Sequence, residues 1–524
     1  MGLLDSGVEI NKYTKDWVIQ GNGSTYDEDE LNKAHGTYIA SLLVHGDKLN
    51  KTEDFSLEGC KIMDVPIIPS WNIDEKILID NIEKAIEKNP EIKIWNLSIS
   101  IQGEIKENEF STFAIELDRI QKHYNVLICK SAGNDIAFLT GGEPGKLSIG
   151  ADSVRAITVG SLNRNTDKFN ITKKDHPAPY SRIGRGPSYI IKPEVVHYGG
   201  DLFALNEEPR GREEYETVDS IGISVNGEKM QEPGTSFSTP KIAKNISELK
   251  SLTESEDLLM LKAMLIHSAR YSELINIDDE TCLQKMGFGK PSTAYQIINE
   301  PNDHSITLML RETLRKGTLI DIMDFPYPSN LVEDGYFKGR MIVTLVYDPH
   351  LRKDLGSEYG QSNMELKFGT FDEKEDAEGQ RAIFNPIKRK GSQNILLESL
   401  YSKVKQKENE GYNYERTLIK YGDKYYPVKK YACDLNEFTE ANKKHINNDK
   451  HWFLYLNSQY RDYILKENMR EKKELETEFC VFITIYDPDQ KENIYNRTIH
   501  QLESNGFVYD EVSLNTEVEI DVDN

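Results

Sequence analysis

The sequence predicts an α/β fold, a parallel sheet with helices on both faces, followed by a smaller β-rich C-terminal domain. Three observations predict it. Between Lys61 and Gly160, short apolar runs of strand length alternate with helical patterns, and such alternation with short connections builds a parallel sheet covered by helices. After a break at Asn299-Glu300-Pro301-Asn302-Asp303, strand-like runs continue while helical periodicity becomes scarce. The 524 residues also exceed one ordinary domain, which suits two domains, 1–300 and 301–524.

The elements follow in order. Lys61–Ile68, Ile92–Ile99, Asn125–Lys130 and Val154–Gly160 are apolar runs that read as strands. Between them, Ile77, Leu78, Ile82, Ala85 and Ile86 recur at helical spacing, as do Phe110, Phe113, Ala114, Leu117 and Ile120. A helix is expected from near Ser236, with Ile242, Ala243, Ile246 and Leu249 on one face, and another over Asp257–Ala269. In the second domain, Ser305–Arg311, Met341–Tyr347 and Phe479–Tyr486 read as strands, and a helix is expected within Trp452–Glu474. The run Val343–Pro349 is echoed by Phe482–Pro488, which reads as two strands ending in similar Asp-Pro turns and is too short for a solenoid repeat. The polar stretch Lys403–Tyr414 is expected to be a mobile loop.

Composition excludes several classes of function. Lys and Arg number 64 against 87 Asp and Glu, a net charge of −23. A nucleic-acid binder needs a basic face, and an anionic membrane surface calls for the same sign, so neither partner is expected. No apolar run approaches the ~20 residues that span a bilayer. The start Met1-Gly2-Leu3-Leu4-Asp5 has no basic n-region or long apolar run, so no signal peptide is expected. Cys60, Cys129, Cys282, Cys433 and Cys480 are scattered without a Cys-x-x-Cys pair, which suits reduced thiols and a cytoplasmic location.

Four short segments carry candidate chemistry. Leu3-Leu4-Asp5-Ser6-Gly7 puts a carboxylate at the carboxyl end of a strand. His35 stands at the start of a helix whose stripe is Tyr38, Ile39, Leu42 and Leu43, where an imidazole suits proton transfer. Ser236, in Gly234-Thr235-Ser236-Phe237-Ser238-Thr239-Pro240, lies between a glycine turn and a helix, in the positive field of the helix start. Asn134, in Ser131-Ala132-Gly133-Asn134-Asp135, directly follows a strand and offers an amide to a developing oxyanion. Taken singly, each has an ordinary reading: a turn Asp, a capping or core His, an N-cap Ser, a Gly-Asn turn.

Together, in the chain order Asp, His, Asn, Ser, these segments resemble the subtilisin-like serine proteases, or subtilases, whose Asp–His–Ser order is the same. Asp5-Ser6-Gly7, His35-Gly36-Thr37, Ala132-Gly133-Asn134 and Gly234-Thr235-Ser236-x-x-x-Pro240 match that family's segments. So do Ile94-Trp95-Asn96-Leu97-Ser98-Ile99, similar to the family's substrate-pairing strand, Ile190–Val196 with its Lys192-Pro193-Glu194, and the closing turn Gly287-Phe288-Gly289-Lys290-Pro291. The resemblance covers roughly the first 300 residues. The sequence departs from the family at Tyr38 and Lys241, where histidines are common, and at Ser100, where glycine is usual.

The resemblance implies a serine endopeptidase acting on protein or peptide substrates. It implies Asp5, His35 and Ser236 as the catalytic residues, Asn134 in the oxyanion hole, and Asn96, Leu97, Ser98, Ile99, Ser100 and Gly133 as substrate-binding residues. Calcium is common among members, but no EF-hand or other Asp-rich loop places an ion, so no metal site and no cofactor are assigned. The rival reading is a subtilase-like fold without turnover that binds a partner. Four residues precede Asp5, fewer than a mean strand of about 5–6. The chain is therefore expected to be a carboxyl-terminal portion of a longer protein, with Asp5 loosely held. P1 preference and oligomeric state are open at this level.

Overall fold

The computed structural model describes residues 1–165, 172–204, 215–218, 220–272, 275–299, 303–373, 392–408 and 426–508. They gather into two compact units. One holds Met1–Leu261 and Ser268–Ile298, and the other holds Lys262–His267 and the residues from Asn299 onward.

The first unit is built on strands β1 (Gly2–Asp5), β2 (Val18–Gln20), β3 (Ile62–Pro66), β4 (Ile94–Leu97), β5 (Ile101–Glu104), β6 (Leu127–Ser131), β7 (Ser148–Ile149), β8 (Ile157–Leu162) and β9 (Val195–Tyr198). Its principal helices are α1 (Ala34–Asn50), α2 (Glu75–Lys88), α3 (Thr112–Tyr124) and α4 (Thr235–Thr253). Seven strands form one sheet in the order β2-β3-β1-β4-β6-β8-β9, and every pairing in it is parallel. β5 and β7 make a separate antiparallel pair.

Adjacent residues of a strand point to opposite faces, and β1 shows the consequence. Leu4 packs with Val65, Trp95 and Ile128 against Ile82 and Ile86 of α2 and Phe113 and Leu117 of α3. Leu3 packs on the other side with Ile62, against Tyr38, Ile39 and Leu42 of α1 and Phe237 of α4. Helices thus cover both faces, as the alternating pattern predicts.

The chain passes from β1 to β3 on one side and to β4 on the other. The carboxyl ends of β1 and β4 therefore flank the point where strand order reverses, the usual ligand crevice of such sheets. Pairing of β4 ends at Leu97, so Ser98 and Ile99, expected as the end of the strand Ile92–Ile99, leave the sheet at this edge together with Ser100.

Asp5 is not loosely held. β1 pairs along its length with β3, and Gly2–Leu4 pairs with β4. The Met1 carbonyl accepts from the Met63 N–H at 2.9 Å, and the Met1 ammonium donates to the Lys61 carbonyl at 3.2 Å. Ladder bonds on both sides, rather than strand length, fix this carboxylate.

The second unit holds two four-stranded sheets. Ser305–Arg315, Glu476–Tyr486, Arg340–Tyr347 and Val428–Asp434 form one, in that spatial order; Leu319–Met323, His451–Tyr460, Ser362–Phe371 and Ser392–Asn394 form the other. All pairings are antiparallel. Met341, Val343, Leu345 and Val481 of the first share one core with Leu366, Phe368, Leu454 and Leu456 of the second. The echoed segments are partners, with Val343 opposite Ile483 and Thr344 opposite Phe482.

The helix expected within Trp452–Glu474 is present, beside a strand the sequence does not show, and one expectation changes. Within Trp452–Glu474, the strand His451–Tyr460 comes first and only Asp462–Glu471 is helical. The apolar residues of that strand are buried on both faces, Trp452 and Leu454 on one side and Phe453 and Tyr455 on the other, so period-2 alternation is absent from its sequence. Lys403–Glu408, expected as loop, is a short helix; 409–414 lie outside the described residues.

Candidate active site

β1 delivers Asp5 to the carboxyl edge of the sheet, fully buried. Its Oδ1 accepts from the Ser6 N–H at 2.8 Å and the Ser6 hydroxyl at 3.2 Å. His35 is the second residue of α1, and its Nδ1 lies 2.9 Å and 3.0 Å from the two Asp5 oxygens. The next residue sets this approach. A Cβ on Gly36 would lie 2.3 Å from the Gly7 carbonyl oxygen, so only glycine lets the helix start close on the Asp loop. Thr37 ties the same corner, since its hydroxyl accepts from the Glu9 N–H at 2.8 Å and donates to the Lys33 carbonyl at 2.6 Å.

Burial pulls the His35 imidazole toward its neutral form, but the charge and hydrogen bond of Asp5, with the charge of Glu232, outweigh it. The net pKa lies above the usual histidine value. Asp64 of β3 stands beneath the same loop. Its Oδ2 accepts from the Val8 N–H at 2.8 Å, and its Oδ1 is buried without a hydrogen bond. Burial, opposed by the Val8 N–H and reinforced by the charge of Asp5, raises its pKa to about 7.

Ser236 is the second residue of α4. Its hydroxyl donates to the Ser98 carbonyl at 3.0 Å, and the Ser98 hydroxyl donates to the Ser236 carbonyl at 3.1 Å. Asn134, just past β6, accepts through Oδ1 from the Thr235 N–H at 2.9 Å and the Thr235 hydroxyl at 3.0 Å. Those two bonds fix the amide orientation, so Nδ2 is left to donate. Gly133 turns the chain with φ +98°, and a Cβ there would come within 2.8 Å of Ser148 Cβ and Arg182 Cδ.

His35, Ser236 and Asn134 line one open cleft of about 550 Å³, together with Ser6, Asn32, Ala34, Ile68–Ser70, Ser98–Ser100, Met230 and Glu232. Of the expected substrate-binding residues, Ser98, Ile99 and Ser100 line it. Asn96 and Leu97 lie below, fully buried in β4, with the Asn96 amide donating to the Ser98 hydroxyl at 3.0 Å. Gly133 is buried beside the cleft, its N–H donating to the Thr235 hydroxyl at 3.2 Å.

The family departures have structural reasons. The Tyr38 hydroxyl donates to the Ser220 carbonyl and accepts from the Glu232 N–H at 2.9 Å, tying α1 to the segment leading into Ser236. Its ring meets Phe237 edge-on at 4.6 Å. Lys241 is buried on Asp54 at 2.8 Å. Ser100 lies exposed on the cleft rim.

Three further residues escape the sequence motifs. Asp64 interrupts an apolar run and Lys130 ends one, the only signal either gives; Glu232 gives none. Lys130 is fully buried, and its ammonium donates to the Ile99 carbonyl at 2.7 Å and the Ser131 carbonyl at 3.1 Å. It braces the rim segment from below, and burial, countered by the charge of Asp152, brings its pKa down to about 7. Among the described residues, no three His, Cys, Asp or Glu side chains group to hold a metal ion, and no helix is long and apolar enough to cross a membrane.

The chain is similar to several known proteins. The uncharacterized protein y4bN of Sinorhizobium fredii (strain NBRC 101917 / NGR234) is 24% identical over 279 residues, covering 46% of this chain and 63% of that protein. The chain thus spans less than two thirds of that relative's length. Among solved structures, the prenylagaramide maturation protease PagA is 19% identical, with 57% of this chain and 91% of that chain covered at a TM-score of 0.38. The patellamide maturation protease PatA gives 19%, 57%, 97% and 0.39. The epidermin leader peptide processing serine protease EpiP of Staphylococcus aureus gives 14%, 57%, 75% and 0.39. The sequence profile of the subtilase family (Peptidase_S8) matches residues 2–289. A profile match over more than half of the 524 residues makes this chain a member of the subtilase family.

Proposed function

We propose that the chain is a serine endopeptidase that hydrolyses peptide bonds through Asp5, His35 and Ser236. The observation that carries this reading is the hydrogen bond from His35 Nδ1 to the fully buried Asp5 carboxylate. It leaves Nε2 as the basic nitrogen of a residue that lines the same cleft as Ser236 and Asn134. A serine hydroxyl is barely nucleophilic at neutral pH and needs such a base. His35 takes the Ser236 proton as Oγ attacks the peptide carbonyl and returns it to the leaving amine; Asp5 holds the tautomer and stabilises the imidazolium. The Asn134 Nδ2 and the Ser236 N–H donate to the oxyanion as charge develops on it. Water then enters where the amine left, and the same proton relay releases the acyl group. An extended substrate pairs its backbone with Ser98–Ser100, so main-chain recognition precedes side-chain selection. Every step is assigned to side chains and backbone of this chain, and no cofactor is proposed.

The test is hydrolysis of internally quenched peptides by the wild-type chain and by Ser236→Ala. Turnover that vanishes in the variant while its circular dichroism is unchanged supports the reading. Equal turnover in both proteins contradicts it.

A further inference from the structure

We propose that the cleft selects peptides with a basic residue within two positions of the scissile bond, and that Glu232 is the selecting group. The proposal rests on the proteolytic reading above and names the class of substrate that the same cleft takes.

Three observations carry it. Glu232 is exposed, lines the cleft, and its carboxylate makes no hydrogen bond or ion pair with a described residue. Among the described residues lining the cleft it is the one carboxylate, none is Lys or Arg, and His35 is the other titratable group. The backbone that carries Glu232 is fixed. Its N–H donates to the Tyr38 hydroxyl at 2.9 Å, Lys229–Gln231 just before it pairs with Ile221–Ile223, and the Gly234 N–H just after it donates to the Gly199 carbonyl at 2.9 Å. Ser236 follows four residues later. The nearby cation on the His35 side, Lys33, is already engaged by Glu9 and Glu28, so it does not neutralise the wall.

A peptide lying across Ser236 covers Glu232 and removes its water. A carboxylate stripped of water without a partner is costly, and a second carboxylate beside it is repelled. A lysine or arginine removes both penalties, so one residue both attracts the right peptide and rejects the wrong one. The net charge of −23 acts in the same direction at long range, drawing cationic peptides toward the protein.

The experiment compares quenched peptides with Lys, Gln or Glu at each of the two positions on either side of the scissile bond. Wild type, Glu232→Gln and Glu232→Lys are each first titrated with a fluorophosphonate probe to count active sites. The expected result is at least a tenfold higher kcat/KM for Lys than for Glu at one position in the wild type, weakening with added salt. That preference is largely lost in Glu232→Gln and reversed in Glu232→Lys. Full probe labelling with no charge preference, or a preference that survives both substitutions, overturns this inference and leaves the peptidase reading intact. A folded wild type that the probe does not label overturns the peptidase reading, and this inference with it.

Discussion

Ser236 and Ser98 are bonded to each other twice, each hydroxyl donating to the other's carbonyl, at 3.0 Å and 3.1 Å. The hydroxyl proposed as nucleophile therefore rests on the backbone proposed to pair with substrate, not on His35. In the proposed reaction, a peptide N–H arriving at the Ser98 carbonyl competes for that acceptor and favours the hydroxyl turning toward the imidazole.

Ser98→Ala removes the reciprocal bond and also takes the hydroxyl partner from the buried Asn96 amide. A buried donor left without a partner costs about 1–3 kcal/mol. The expected outcome is a loss of that size in a denaturant melt. A change below about 0.5 kcal/mol contradicts the pairing.

The pH dependence follows from His35. The imidazole must be neutral to accept a proton, and its pKa is held above the ordinary value of 6.5, because the Asp5 and Glu232 charges exceed the effect of burial. The rising limb of kcat/KM is therefore expected to have its midpoint above pH 6.5. Asp5→Asn should move that limb down in pH, since burial then acts with less opposition, and should lower the rate. A midpoint well below 6.5 in the wild type, or a limb that Asp5→Asn leaves in place, counts against the Asp5–His35 pair.

Asn134→Ala tests the oxyanion donor. The expected fall in kcat is about 10²–10³, the figure for the equivalent amide in subtilisin, with KM little changed. A fall in kcat/KM through KM alone would make Asn134 a binding residue instead.

Much of the site is legible in the sequence because its parts are short contiguous segments. Gly36, which lets His35 approach the Asp5 loop, stands beside His35, and Thr235, which orients the Asn134 amide, stands beside Ser236, so short motifs carry both the reactive groups and part of their local geometry. The two-sided helix cover is also legible, since it follows from apolar runs alternating with helical stripes. What is not legible depends on contacts between distant segments. Nothing near Asp64 in the chain indicates that it meets Val8, nothing near Lys130 indicates Ile99, and nothing near Glu232 indicates Tyr38. The strand His451–Tyr460 is obscured for a different reason, as burial on both faces erases the alternation that marks a strand.

Asp64 gives a stability prediction. In the folded chain its carboxyl keeps a proton up to about pH 7, against 3.8 for an ordinary aspartate. A raised pKa contributes stability that is fully present below pH 3.8 and is lost as pH rises through 7. Asp64→Asn cannot ionise, so between pH 4 and pH 8 it should gain on the wild type by on the order of 3 kcal/mol. Urea melts of both proteins across that range check it. Parallel stability curves would mean that Asp64 is already ionised at pH 4 in the fold.

The most direct measurement is covalent labelling with a fluorophosphonate probe, with the modified residue mapped by mass spectrometry of the full chain. If Asp5, His35 and Ser236 act as one unit, the wild type incorporates one equivalent on Ser236. Ser236→Ala then incorporates none, and His35→Ala reacts far more slowly. A folded wild type that stays unlabelled, or label found on another residue, contradicts the account.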